Sequence, residues 1–201
     1  MQDEMDVAAL VDGLLDREGG YVDNAADKGG PTCFGIIEAV ARAHGYRGAM
    51  RQLPRSEAAA IYERLFWLRP RLDEIAKRST RVAAELFDAG VNMGPAVAIT
   101  FLQRALTALN RNGTDYADLT PDGRVGPATL AALDGFFAKR RIVAGETVLQ
   151  RTIEPLQGER YVRLAERRPA NEALLYGWLA NHIGDHPRRS GGSGSTPVFI
   201  Q

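Results

Sequence analysis

The stretch that decides the fold is Val7-Ala8-Ala9-Leu10-Val11-Asp12-Gly13-Leu14-Leu15-Asp16-Arg17, followed at once by Glu18-Gly19-Gly20-Tyr21. Val7, Leu10, Val11, Leu14 and Leu15 recur at three- and four-residue spacing, which lays an apolar face along a helix ending near Arg17. Glu18 continues that face, one four-residue step beyond Leu14. A carboxyl at the end of an apolar face is partly withdrawn from water, which disfavours its charged form and raises its pKa. Such a carboxyl can hold a proton near neutral pH and deliver it as a general acid. The plainer alternative is a helix-terminal glutamate facing solvent, the commoner fate of Glu residues.

Residues 19–35 change character. Gly19, Gly20, Gly29, Gly30, Pro31 and Gly35 punctuate polar residues, which predicts a long loop or a small β-hairpin. Loops of that length inside compact domains are uncommon and often functional. Asp27 follows Glu18 by nine residues and Thr32 follows Asp27 by five. Two acidic groups flanking a sugar bond are the minimum for acid-assisted glycoside hydrolysis, and a threonine hydroxyl near them can position water. Gly29-Gly30 lets the backbone turn tightly and approach a bulky polymer. Spacing of such common residues remains a weak signal by itself.

Outward from this region the pattern is almost wholly helical. Helices are expected at about 36–44, from Ser56 as N-cap through Ile61, Leu65 and Leu68, and from Val82 to Met93. Gly94-Pro95 and Gly126-Pro127 each place a proline at a first helical position, where its missing N–H costs nothing. The apolar stripes behind them run through Ala98, Phe101, Leu102, Ala105, Leu106 and Leu109, and through Leu130, Leu133 and Phe137. Between them, Arg111-Asn112-Gly113 and Pro121-Asp122-Gly123 are turn chemistry. Two last helices are expected at about 145–167 and 171–182, before a low-complexity tail rich in Gly and Ser.

The bulk composition excludes several classes. The chain has 201 residues, 45% of them hydrophobic, with 25 basic and 25 acidic side chains and a formal net charge of zero. That balance argues against a nucleic-acid binder working through a broad basic surface. The single cysteine, Cys33, excludes an intrachain disulfide and a cysteine zinc cluster, and is expected to be a small packed residue. His182 and His186 stand four apart, but Gly184 and Pro187 interrupt the helix, so a solvated helix end is expected rather than a metal site. No GxGxxG or Walker A pattern occurs. The acidic start lacks the basic and apolar regions of a signal peptide, and no apolar run approaches a membrane span.

Read as longer words, these stretches are far more specific. Glu18-Gly19-Gly20-Tyr21-Val22, Asp27-Lys28-Gly29-Gly30-Pro31-Thr32 and Phe34-Gly35-Ile36 closely resemble the signature of glycoside hydrolase family 108, the N-acetylmuramidase family. The resemblance continues through Leu86-Phe87-Asp88-Ala89-Gly90-Val91-Asn92-Met93-Gly94-Pro95, Phe101-Leu102-Gln103-Arg104-Ala105-Leu106, and the run from Asp122 to Leu130. With Gly177-Trp178-Leu179 it spans about residues 8–182, and the later stretches resemble that family's predicted peptidoglycan-binding region.

The resemblance implies an all-α, lysozyme-like α+β variant: a helical bundle with a small β-hairpin or loop after the first helix. Its expected parts are a catalytic lobe at 1–80, a helical peptidoglycan-binding-like lobe at 81–187 packed on it, and a flexible tail at 188–201. The expected reaction is cleavage of the β-1,4 bond between N-acetylmuramic acid and N-acetylglucosamine. Glu18 matches the family's catalytic Glu, and Asp27 and Thr32 match two further polar positions. Family members often have Asn-Asp-Pro where this chain has Asp23-Asn24-Ala25, so Asp23 competes with Asp27 as helper, with Asp27 preferred.

Tyr21 is a candidate to stack on sugar or to pack the hairpin. Asp88 and Asn92 are candidates to bind saccharide or to buttress the 19–35 loop, and Trp178 is expected to be a core anchor. No metal or organic cofactor is expected. The expected partner is the glycan strand of peptidoglycan, with no nucleic acid, no stable membrane insertion, and a monomeric chain. Synthesis in the cytoplasm is expected, with release to the wall by a holin or a secretion system, in an endolysin, effector or secretion-assisting setting. A lytic transglycosylase and an inactive peptidoglycan-binding protein are the rival readings.

Overall fold

In the computed structural model, residues 7–23 and 30–184 are described. The protein is mostly helical, with nine α-helices among the described residues and one small three-stranded antiparallel sheet. The expected helical bundle is therefore present, and the expected hairpin is part of a slightly larger sheet. Helix α1 (Val7–Glu18) buries Val11, Leu14 and Leu15, the predicted face, and ends one residue later than expected, on Glu18 itself.

Strands β1 (Tyr21–Val22), β2 (Thr32–Cys33) and β3 (Ile36–Ile37) follow. Tyr21 pairs with Cys33 and Val22 with Thr32, while Thr32 pairs with Ile37 and Cys33 with Ile36. This register leaves only Phe34-Gly35 to turn β2 into β3. Both have positive φ, 50° and 70°, as a tight type I′ hairpin turn demands. The helix expected at 36–44 starts later, as α2 (Glu38–Ala43), because Ile36 and Ile37 are spent on the sheet.

Helix α3 (Arg55–Glu63) starts at Arg55 with Pro54 as its N-cap, not at the expected Ser56. Pro54 fixes an extended entry, and no side chain caps this end. The chain continues through a π-helical turn over Arg64–Leu68, which buries Phe66 and Trp67, into α4 (Leu72–Ala76). Arg55 straps α3 to α1: its Nε donates to Asp12 Oδ1 at 2.9 Å and its Nη2 to Asp16 Oδ1 at 2.7 Å.

The long helices α5 (Thr80–Met93) and α6 (Pro95–Ala108) pack against each other, and α7 (Pro127–Arg140), α8 (Ile142–Arg167) and α9 (Glu172–His182) complete the bundle. Both Gly-Pro devices open helices as predicted, with Pro95 and Pro127 in the first turn. One continuous buried cluster runs from Val11, Leu14 and Ile36 through Leu86 and Leu102 to Tyr161 and Trp178. Burying each large apolar side chain contributes about 1.5–3 kcal/mol.

Two buried amides organise the intervening turns. Gln103 donates to Asp122 Oδ1, Arg124 O and Thr129 Oγ1, and accepts from Gly123 N. Asn110 does the same for the turn at 114–118 through Tyr116 and Asp118. These contacts make the Asp122-Gly123 stretch structural punctuation, as its turn chemistry suggested.

The start of α5 rests on one hydroxyl. Ser79, almost fully buried, accepts from Val82 N at 3.0 Å and donates to Glu146 Oε1 at 2.6 Å, so it caps α5 and ties it to α8. Ser79→Ala removes both bonds and is expected to cost about 1–2 kcal/mol. A urea-unfolding comparison checks this, and an unchanged midpoint would show that the cap is dispensable.

Candidate active site

Glu18 occupies the last position of α1, where the helix stops because Gly19 takes a left-handed conformation at φ 74°. Its carboxyl is pressed against the turn between β2 and β3. A methyl group added at Gly35 would lie 2.5 Å from Glu18 Oε2 and 2.9 Å from Tyr62 Oη. Three elements therefore meet around the bare α-carbon of Gly35: α1 through Glu18, the hairpin, and α3 through Tyr62. Tyr62 has no exposed surface; its hydroxyl donates to Phe34 O at 3.0 Å and its ring stacks on Phe66. Phe34 is held in its unusual left-handed conformation by this bond and by its own N–H on Gly20 O.

The electrostatics follow from this packing. Burial pushes the Glu18 pKa from its ordinary 4.5 up to about 7, and the neighbouring Arg17 guanidinium opposes the shift. Burial also pushes the Tyr62 phenol well above its usual range, with the Glu18 charge adding to it. A carboxyl poised near 7 is half-protonated at neutral pH and suited to give a proton to a leaving oxygen. The desolvation anticipated from helix phase is therefore present, and the solvated-glutamate alternative is not.

The other predicted residues divide. Thr32 lies in β2, half-buried, with its hydroxyl 3.4 Å from Val22 O. Tyr21 donates to Asp23 Oδ2 at 3.0 Å and carries the Arg51 guanidinium 5.4 Å from its ring centre, so the structure gives it protein partners on the sheet surface. Asp27 lies outside the described residues, as does His186. Cys33 is buried in the core, as expected.

Asp88 and Asn92 form a polar cluster across helices. Asp88 Oδ2 is 2.9 Å from His182 Nδ1, Asn92 Nδ2 donates to Asp88 O at 2.8 Å and lies 3.2 Å from His182 Nδ1, and Arg17 Nη2 is 3.9 Å from Asp88 Oδ1. His182 corrects one expectation: its side chain is only 9% exposed. It is not a solvated helix end, because α9 packs on α8 and Asp88 supplies a polar partner in a site otherwise closed by Tyr161. Trp178 is a core anchor, stacked on Tyr161 with centroids 5.2 Å apart.

Residues the sequence left without a role are Tyr62, Arg17 and His182. Tyr62 shares an apolar face with Ala58 and Ile61, a signal of burial. Nothing in one strand of sequence pairs it with Glu18, forty-four positions away.

Residues 11–94 match the glycosyl hydrolase 108 family, and residues 97–183 match the family described as predicted peptidoglycan domain. The chain therefore carries a glycosyl hydrolase 108 domain followed by a predicted peptidoglycan domain. The first implies glycosidase activity, and the pairing points to peptidoglycan hydrolysis.

Among solved structures, SagA from Brucella abortus is similar in fold, with a TM-score of 0.55 and 21% identity, over 89% of this chain and 97% of that one. No curated protein matches the chain significantly.

Two outcomes follow from the packing of Glu18. An unfolded chain releases the Glu18 proton near 4.5 and the folded one near 7, so the penalty of burying the charge is absent below pH 4.5 and full above pH 7. Glu18→Gln is thus expected to be more stable than the parent above pH 7, by about 3 kcal/mol at most, with the two converging at low pH. Urea titrations from pH 4 to 9 read this directly, and parallel curves for the two proteins would contradict it.

The second concerns Gly35→Ala, which adds a methyl at φ 70° against Glu18 and Tyr62. The left-handed conformation alone costs about 1–2 kcal/mol, and the displaced carboxyl is expected to lower any Glu18-dependent activity more than stability. Activity retained at parental level in a destabilised variant would show that Glu18 tolerates the displacement.

Proposed function

We propose that the protein is an N-acetylmuramidase that cleaves the β-1,4 bond between N-acetylmuramic acid and N-acetylglucosamine, with Glu18 as general acid. The observation that carries this reading is the Glu18 carboxyl, half-buried at the end of α1 against Gly35 and raised to a pKa of about 7 by desolvation. Protonated Glu18 gives its proton to the glycosidic oxygen as positive charge develops on the sugar ring. Asp27 and Thr32 hold the attacking water or steady that charge.

Among the described residues, burial raises the Glu18 pKa and Arg17 lowers it. Tyr21, in β1 three residues beyond Glu18, is the proposed contact for a sugar ring. Asp88 and Asn92, each bonded within the protein, act by holding Arg17 beside Glu18 rather than by binding saccharide. The proposed setting is lysis or loosening of the cell wall, with a holin or a secretion machine giving access to it.

A lytic transglycosylase also needs only one acid/base glutamate, and the perturbed Glu18 serves it equally, so it is the second reading. The two differ in product: hydrolysis adds water across the bond, whereas transglycosylation leaves an anhydro-muramic end. Purified protein is expected to clear a sacculus suspension and release water-added muropeptides by mass spectrometry. Glu18→Gln is expected to lose about a hundredfold or more of that activity while remaining folded.

Clearing should fall by about tenfold per pH unit above 7, as the acid loses its proton. Anhydro products would replace muramidase by transglycosylase. Undiminished clearing by folded Glu18→Gln would remove Glu18 from the chemistry. Binding to sacculi without clearing would leave a binding protein.

A further inference from the structure

Helices α6 and α8 pack with a groove of about 440 Å³ between their outer faces, and no residue around Glu18 lines it. Each helix presents a face of the same period. Thr100, Phe101 and Arg104 line it from α6, and Leu156, Arg160 and Arg163 line it from α8 with Glu159. Its floor is apolar, with Phe101 buried, and its rim holds three arginines against one glutamate.

Glu159 is already engaged: Arg163 Nε donates to its Oε1 at 2.9 Å. That leaves Arg104 and Arg160 without an ion pair to any described residue. Arg160 carries the sharper signal. Its Nε is withdrawn from solvent and has no hydrogen-bond partner among the described residues. Buried donors are nearly always satisfied, so the Arg160 guanidinium carries donor capacity that no described residue uses. A guanidinium fork flanked by a second arginine matches the two oxygens of a carboxylate. The apolar floor matches small side chains such as alanine methyls.

We propose that this groove binds the short acidic peptide stem that peptidoglycan carries on its muramic acid, with Arg160 and Arg104 gripping stem carboxylates and Phe101 and Leu156 contacting its methyl groups. The inference rests on the peptidoglycan reading and assigns residues to a part of the chain whose family model names peptidoglycan alone. It separates two tasks: the uncharged glycan is cut at Glu18, while its charged peptide is held by α6 and α8. The zero net charge of the whole chain makes such placed groups necessary, because no broad field attracts the polymer.

Calorimetric titration of the full chain with a synthetic N-acetylated Ala-γ-Glu-Ala peptide, which carries two carboxylates and no cation, tests this, alongside the same peptide with its carboxylates amidated and a peptide-free chitotetraose. Saturable binding of the acidic peptide is expected. Amidation should weaken it about tenfold or more, and so should Arg104→Gln combined with Arg160→Gln. Glu18→Gln should leave it unchanged.

Failure of the acidic peptide to bind, or equal affinity for the amidated peptide, would overturn the proposal. The amidation arm uses the parent protein, so it decides the matter even where the double variant does not fold. Sacculus clearing by the parent, measured separately, reports on the cleavage reading alone; clearing with no peptide binding defeats only the groove.

Discussion

The structure turns on one contact, a carboxyl oxygen of Glu18 packed where a side chain of Gly35 would have to be. The contact requires three things at once: a helix that ends on Glu18, a two-residue hairpin turn with positive φ at Phe34 and Gly35, and a buried tyrosine on α3 closing the far side. Each is supported by ordinary forces. The Leu14 and Leu15 face fixes the phase of α1, Arg55 ties α3 to it, and the Tyr62 hydroxyl bonds the turn. Burying a carboxyl without a compensating charge is unfavourable, so the surrounding core must offset it. The strained residue and the raised acid sit together because the same packing imposes both.

Arg17 is the cation that restrains the Glu18 shift, and it is not independent of the rest of the bundle. It faces Asp88 on α5, which in turn faces His182 on α9. Arg17 and Asp88 fall in the stretch matching glycosyl hydrolase 108, and His182 falls in the stretch matching the predicted peptidoglycan domain. The electrostatic surroundings of Glu18 are thus completed by the last described helix of the chain. A change at α9 that releases Asp88 alters how tightly Arg17 is held and, through it, the charge beside the acid.

Local features of sequence made much of this legible. Helix phase placed Glu18, the two Gly-Pro pairs opened α6 and α7, and apolar stripes marked the buried faces. Where the sequence misled, a competing local preference had won. Ile36 and Ile37 joined a strand because β-branched residues flank a Phe-Gly turn, and Pro54 displaced Ser56 as the start of α3. What was not legible was long-range. His182 looked like a frayed end because Gly184 and Pro187 follow it, yet α9 docks early enough to bury the ring against Asp88 and Tyr161. Tyr62 reads as one more core residue until the hairpin is folded over it.

The two polar sites obey opposite rules. At Glu18 the protein withholds compensation, so a group that is normally ionised keeps its proton. Along the groove of α6 and α8 the acid present, Glu159, is engaged by Arg163, and Arg104 and Arg160 have no ion pair to a described carboxylate. Other charges are paired within the chain, as in Arg55 with Asp12 and Arg78 with Asp134. Matched pairs add little stability when exposed, but they cancel the field. What sets Arg160 apart from other arginines without an ion pair is its place, on the wall of a groove with an Nε that no described acceptor meets.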